Sequence, residues 1–268
     1  MAALTAYEQL LLELVNRARL DPAGEAARFG ISLNTGLAAG SLTASAKQVL
    51  APNELLVDSA RAHSQWMINT DIFSHTGSGG SDPGDRMGAA GYAFTGSWTW
   101  GENIAWSGTT GTPDLLSYTN ELHQNLFLSP GHRVNILGGD FRELGTGIVS
   151  GQFASGGTTY NAVMATENFA ASGSDYFVTG VAINDTDGDN FYDIGEAREG
   201  ITMSIAGGTS DDTGAAGGYA ATFAGGTVNL TFSGGDLANS VSVTIAAGQQ
   251  NAKVDLLDAS EILSSVSI

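Results

Sequence analysis

Along the first 170 residues, stretches with apolar positions at helical spacing are interleaved with stretches that alternate. In YEQLLLELVNRARL (7–20), Leu10, Leu14 and Arg17 fall on one stripe and Leu11, Val15 and Ala18 on the next, the rhythm of an amphipathic helix. Asp21-Pro22 then supplies an N-cap and a first-turn proline, and Gly30 a stop, so DPAGEAARFG reads as a short second helix. A third helix runs through VDSARAHSQWMINT (57–70), with Asp58 as its cap, and a fourth starts at Thr112-Pro113 with Leu115, Thr119, Leu122 and Leu126 on a buried stripe. Ser129-Pro130-Gly131 breaks that helix. A short one, PGHRVNIL, restarts under a Ser129 cap and ends at Gly138. Strand-like runs lie at 102–106, 145–153 and 159–169, the last two joined by ASGG as a hairpin. Helices mixed with antiparallel strands predict an α+β fold, and no Gly-rich phosphate loop follows any strand.

The pattern changes near AASGSDY (170–176). From there six short β-type runs, at 176–183, 200–207, 217–224, 226–233, 239–247 and 251–257, follow one another with Gly- and Asp-rich turns between them. Such spacing predicts a small all-β sandwich. The chain therefore divides into an α+β domain over 1–172, a β-sandwich over 176–258 and a C-terminal tail over 259–268.

Composition sharpens this division. Acidic residues outnumber basic ones 16 to 8 up to position 175 and 12 to 2 beyond it, within a net charge of -18 over 268 residues. Nucleic acid and anionic membrane surfaces would be repelled, and cations are the natural partners. The absence of cysteine excludes disulfides, thiolate nucleophiles and Cys-ligated metals. No apolar run is long enough for a transmembrane helix, and the charged amphipathic start has no basic patch followed by an apolar core of a leader.

The densest acidic stretch is DTDGDNFYDIGE (185–196). Asp185, Asp187, Asp189, Asp193 and Glu196 occupy positions 1, 3, 5, 9 and 12 of an EF-hand-type loop, with Phe191 at position 7, where a backbone carbonyl serves. Position 6 is Asn190 instead of Gly, and Asn tolerates the left-handed conformation that the turn needs. Hard oxygen ligands at this spacing predict calcium. The flanking runs are strands rather than helices, and VTGVAINDTDGDNFYDIGEAREGITMSI resembles the opening of the calcium-binding B-type repeats of bacterial surface adhesins. That resemblance implies a structural calcium that stiffens the strand connection.

A second constellation is spread over the first domain. His132 falls at the third position of PGHRVNIL, where the partial positive charge of a helix N-terminus disfavours imidazolium and keeps a neutral ring suited to metal ligation or base chemistry. His75 sits where a helix breaks into a Gly-rich loop. Glu102 begins a strand between Trp100 and Trp106, an odd place for a carboxylate without a partner. The ordered set AHSQWM, FSHTG, GENIA and SPGHRVNIL is similar to the bacterial branch of the CAP superfamily, the SCP-like proteins, over about residues 5–170. The resemblance implies an α-β-α sandwich with a central groove lined by His75, His132 and Glu102. Many eukaryotic members place a second Glu where Ser129 stands here, so the resemblance implies a reduced site, with Glu121 and His123 on the preceding helix as candidates to compensate.

Three functions are open at this point. One is an extracellular binding module whose groove takes a small-molecule, lipid or cell-surface ligand, or zinc or another divalent cation on His75 and His132. Another is a metal-assisted, peptidase-like hydrolase in which those histidines hold zinc and Glu102 serves as base. The third is an adhesin-like spacer. H-E-x-x-H, G-x-S-x-G and cysteine are all absent, which ranks binding above catalysis. The pairing of an SCP-like domain with a calcium-loop module also resembles the front end of proteobacterial secreted proteins, which implies an extracellular location reached without a cleaved leader and a chain that is a fragment of a longer one.

Overall fold

A computed structural model describes residues 4–258 and 260–266. The first helix, α1 (Ala6–Leu20), opens on a capping box in which Thr5 accepts from the Glu8 amide and the Glu8 side chain accepts from the Thr5 amide. It is buried on nearly every side. Leu12, Val15 and Ala18 pack with Phe127, Ile136 and Phe169, and Leu11 packs with Leu122, Val163 and Ala165. Leu10 and Leu14 face the other way, onto Val181, Ile183, Tyr192 and Leu257. The two stripes legible in the sequence thus serve different halves of the chain.

Asp21 caps α2 (Pro22–Arg28) as expected, accepting from the Gly24 amide. The third helix, α3 (Glu54–Thr70), begins earlier than its apolar pattern does. Its cap is Asn53, which accepts from the Leu55 and Leu56 amides, whereas Asp58 lies inside the helix. A helix absent from the sequence reading, α4 (Pro83–Ala89), rises from the Gly-rich stretch after His75 on an Asp82–Asp85 capping box. Asp114, not the Thr112-Pro113 pair, caps α5 (Leu115–Leu128). Ser129 occupies the N-cap position of α6 (Pro130–Ile136), but its side chain makes no capping hydrogen bond. Instead the buried Arg133 holds the break, donating to the Phe127 and Leu128 carbonyls at the end of α5 and to the Thr35 carbonyl.

Among the described residues the strands form three four-stranded sheets. The first has the order β1-β3-β4-β2, with β1 (Ala51–Pro52), β2 (Thr99–Thr109), β3 (Glu143–Ser155) and β4 (Thr158–Ala171). The predicted hairpin is β3–β4, antiparallel throughout, and β2 pairs antiparallel with the other side of β4. Because side chains alternate along a strand, β3 meets different helices on its two faces. A Cβ at Gly145 or Gly147 would run into the α3 backbone at Leu56 and at Ala60–Arg61, while Thr146 and Ile148 contact Glu8 of α1.

The remaining strands are β5 (Tyr176–Ile183), β6 (Ile201–Ile205), β7 (Ser210–Asp212), β8 (Gly218–Phe223), β9 (Gly226–Gly234), β10 (Val241–Gly248), β11 (Ala252–Leu257) and β12 (Glu261–Ser264). They form the sheets β10-β9-β6-β7 and β12-β11-β5-β8. Met203, Leu230, Phe232 and Ile245 from one share a core with Val178, Tyr219, Val254 and Leu256 from the other. The six runs seen in the sequence are all present. The segment read as a tail contributes β12, whose pairing with β11 satisfies an edge; residues 259, 267 and 268 of that tail lie outside the described residues.

The two halves are joined by more than the linker. Asn251 donates to the Val49 and Arg142 carbonyls and its own amide donates to Gln48. Lys253, nearly buried, pairs with Glu13 of α1 at 3.0 Å and with Asp255.

Candidate functional site

The edge strand β2 carries Glu102 into the interior, where its side chain is 1% exposed. Two partners meet it. His75 Nδ1 lies 2.8 Å from Oε1, and Arg86 Nη2 donates to Oε2 at 2.6 Å. Arg86 comes from α4 and donates its other terminal nitrogen to the His75 and Ser81 carbonyls, so one guanidinium fixes both the carboxylate and the loop that carries the histidine. His75 itself is 51% exposed. With Nδ1 turned inward to the carboxylate, Nε2 is the nitrogen left for a ligand.

His63, from α3, stands behind this pair with Nε2 4.0 Å from Glu102 Oε1. Nε2 is 3.0 Å from the Ser74 carbonyl, which can only accept, so Nε2 carries the proton. Burial pulls His63 below the ordinary histidine range despite the nearby carboxylate. His132 is half-buried at the start of α6. Its pKa is lowered by burial first and by the neighbouring His75 second. The α6 backbone is tied to the strand beneath: Asn103 Nδ2 donates to the His132 carbonyl and to Glu167 Oε2, while Asn135 donates to the Glu102 carbonyl and to Asn103 Oδ1.

The structure therefore brings together His75 and Glu102, with His132 close enough to feel the His75 charge. It does not bring in the two candidates on α5. His123 is fully buried with Nε2 2.9 Å from Glu25 Oε1, and Glu121 accepts from Ser107 of β2. Arg86 and His63 were the residues missed. The SDPGD run, with Asp82, Pro83 and Asp85 at cap, first and third positions, was the legible signal for the helix that carries Arg86.

In the acidic loop, carboxylate oxygens of Asp185, Asp187 and Asp189 lie within 4.8 Å of one another, the one such gathering of three or more potential ligand groups among the described residues. Asn190 takes the left-handed conformation at φ 60°. Asp193 has its pKa raised by burial first and then by Asp189, Asp187, Glu196 and Asp185. Glu196 is turned to protein donors: Oε1 accepts from the Thr186 amide and hydroxyl and Oε2 from the Asp193 amide. The Phe191 ring lies under Arg17 of α1 at 5.1 Å.

With this geometry in hand, the profile of the cysteine-rich secretory protein family (CAP) matches residues 12–169. Among solved structures, an extracellular protein containing an SCP domain from Bacillus anthracis str. Ames is similar at 28% identity with a TM-score of 0.35, over 46% of this chain and 34% of that one. An outer surface protein from Borrelia burgdorferi is similar at 16% identity with a TM-score of 0.34, over 46% of this chain and 78% of that one. The chain thus spans about a third of the length of the Bacillus protein. No curated protein matches.

Proposed function

Since the chain belongs to the cysteine-rich secretory protein (CAP) family, we propose that it is an extracellular binding protein whose groove takes a divalent cation on His75 and His132. The observation that carries this reading is the 2.8 Å contact between the half-exposed His75 and the buried Glu102. A carboxylate behind the inner nitrogen of a histidine fixes the ring and raises the basicity of the outer nitrogen, the arrangement that supports metal-ligating histidines. The lowered pKa of His132 adds a second ring that stays neutral and available. Glu102 is a positioning group here rather than a ligand, because Arg86 and His75 occupy both of its oxygens. Zinc suits such imidazoles, and once bound it would act as a Lewis acid toward a ligand oxygen. The helices among the described residues include none long and apolar enough to cross a membrane, which accords with the extracellular proteins in the family.

The hydrolase reading draws no support from the site. Its base would be Glu102, already engaged twice, or Glu121, which faces Ser107.

The acidic loop supports a second cation, calcium, with Asp185, Asp187, Asp189, Asp193, the Phe191 carbonyl and Glu196 as the ligand set. The Asp185–Asp187–Asp189 cluster and the left-handed Asn190 fit that assignment. Glu196 fits it less directly, since its donors Thr186 and Asp193 would have to be exchanged for the ion.

Zinc titration by calorimetry tests the groove. Wild type should bind about one zinc there, and His75→Ala should lose it; equal binding by the two would remove the metal reading. For the loop, metal analysis after purification without chelator should find about one calcium per chain, and chelation should lower the melting temperature in wild type but not in Asp187→Asn. An unchanged melt in wild type would remove the calcium.

A further inference from the structure

Lys253 carries a primary amine that neither the groove nor the acidic loop uses. Its strand, β11, is covered on both faces. Val254 and Leu256 point into the sandwich core, while Lys253 and Leu257, out of phase with them, meet α1. The Lys253 side chain is 12% exposed, that of Asp255 5% and that of Glu13 2%. Nζ lies 3.0 Å from Glu13 Oε2 and also donates to Asp255 Oδ2. The far oxygens are held as well: Gln9 Nε2 donates to Glu13 Oε1 at 2.8 Å, and the Val181 amide to Asp255 Oδ1 at 2.9 Å. One amine thus stands between two carboxyl groups that cannot turn away.

Two carboxylates and one ammonium leave a negative charge uncompensated, and a buried ion pair loses in desolvation much of what it gains by attraction. Burial raises the Glu13 pKa, with Lys253 opposing the shift and Asp255 adding to it. Burial also works against the charge on Lys253, but Asp255 and Glu13 outweigh it, so the pair starts as ammonium and carboxylate. The neutral pair, amine and carboxylic acid, differs from it by one proton moved along the 3.0 Å contact. In water an amine and an acid do not condense, because both ionise and they seldom meet. Here burial penalises the ionised forms, and fixed contact supplies an effective concentration that reaches about 10⁵–10⁸ M in well-oriented intramolecular reactions.

From this arrangement we propose that Lys253 and Glu13 form a self-crosslinking site, joined by an isopeptide bond between Nζ and Cδ, with Asp255 as the proton carrier. Nζ passes one proton to Glu13 Oε2 and, as a neutral amine, attacks Cδ. The negative charge that builds on Oε1 falls on the Gln9 donor. Asp255 takes the second proton from Nζ and delivers it to Oε2, the Cδ–Oε2 bond breaks, and one water leaves. Of the three protons on Nζ, one stays in the amide and two depart in the water; Asp255 ends as the carboxylate it was. An open pocket of about 260 Å3, lined by Glu13, Lys253 and Asp255, gives the water a way out. The product replaces a buried ion pair with a neutral amide whose N–H can donate to Asp255. It ties α1 to β11, and so the first half to the second, in a chain without cysteine, constraining the unfolded state as a disulfide would. No groove histidine and no residue of the calcium ligand set takes part in the step.

Intact-mass spectrometry of the full chain, unfolded in denaturant, tests it. The wild type should be lighter than its sequence by the mass of one water. Tryptic mapping should find the segment that carries Glu13 joined to the one that carries Lys253, with no cleavage after Lys253. Lys253→Arg keeps the cation without the amine and should have its full sequence mass. Asp255→Ala removes the proton carrier and should remain mostly at full mass while folded by circular dichroism. Full mass in the folded wild type would overturn the proposal. So would loss of water in Lys253→Arg as well, which would place the dehydration elsewhere, or a map that joins Lys253 to Asp255 instead of Glu13. Complete crosslinking in Asp255→Ala would remove Asp255 from the step. If a variant fails to fold, the wild-type peptide map decides alone.

Discussion

Glu167 sits on β4 opposite Asn103 and Thr146, with no exposed surface. It accepts one hydrogen bond, from Asn103 Nδ2 at 2.9 Å, and its other oxygen has no partner among the described residues. Burial without a cation pushes its pKa from 4.5 up to about 7, with Asn103 opposing the shift. The carboxyl is an acid whose native pKa is raised, so the native state prefers it protonated. Its contribution to stability is intact below pH 4.5 and is lost as pH rises through about 7. A pKa raised from 4.5 to about 7 corresponds to about 3 kcal/mol of stability lost above pH 7. Glu167→Gln keeps the shape of the protonated form and cannot ionise. Urea denaturation of both proteins from pH 5 to 8.5 should show the variant gaining on wild type by about 1.4 kcal/mol per pH unit up to pH 7, then holding level. A stability difference that stays constant across this range, or a variant less stable than wild type at pH 8, would refute the reasoning. Since Asn103 also holds the His132 carbonyl, the same titration in the presence of zinc reports whether ionisation loosens the groove.

Three further outcomes follow from the packing and charges. The His132 ring, its pKa lowered by burial and by His75, should titrate below 6.5 in nuclear magnetic resonance, and His75→Ala should move the midpoint upward; a midpoint that does not move means that His75 is too far away to matter. Lys253→Met leaves Glu13 and Asp255 facing each other across the joint between the halves, and should cost about 3–5 kcal/mol in chemical denaturation at pH 7, the range for breaking a buried ion pair on one side. At Gly147 a methyl group would enter the α3 backbone at Ala60–Arg61, so Gly147→Ala should destabilise by at least about 1–3 kcal/mol, and a neutral result by thermal denaturation would show that α3 can shift away from β3.

Much of the candidate site was legible because its residues belong to short ordered motifs: His75, Glu102 and His132 sit in FSHTG, GENIA and SPGHRVNIL. Of the two residues not read as part of the site, His63 lies inside the AHSQWM motif but carries no local sign that it stands behind Glu102, and Arg86 lies outside every motif. Arg86 lies in a stretch rich in glycine, and composition hid a helix that two aspartates cap locally. Helical phase misplaced the α5 candidates: one residue past the buried Leu122, the chain has turned by about 100°, which carries His123 to Glu25 instead of the groove. The cap of α3 was read five residues late, at Asp58, because Asn53 precedes the apolar pattern that marks the helix, and that of α5 was read early because Thr112-Pro113 carries a cap-and-proline signal just before the true cap Asp114. In the C-terminal part β6 and β8 alternate inward and outward residues while β5 and β11 are buried almost throughout, and Gly- and Asp-rich turns bound the runs, so the six predicted runs match strands closely; β7 and β12 were too short for a pattern to register.

The change in composition near 172 gives no sign of how closely the halves are packed, because the residues that join them look like ordinary members of their own elements. Leu10 and Leu14 read as core of the first half, yet they lie against Val181, Ile183 and Tyr192. A helix buried on all sides needs partners for its polar residues as well, and α1 finds them on both sides. Glu8 holds Arg61 of α3, Asn16 pairs with both backbone groups of Leu50, and Glu13 holds Lys253 of β11. The acidic loop joins the same surface: Tyr192 is buried beside Leu10 and Leu14, and Phe191 lies beneath Arg17. Those two aromatic residues are interleaved with the aspartates of the loop. Whatever holds the aspartates in place therefore also holds the side chains that seat the β-rich half on α1, and the loop's conformation is part of the joint between the halves.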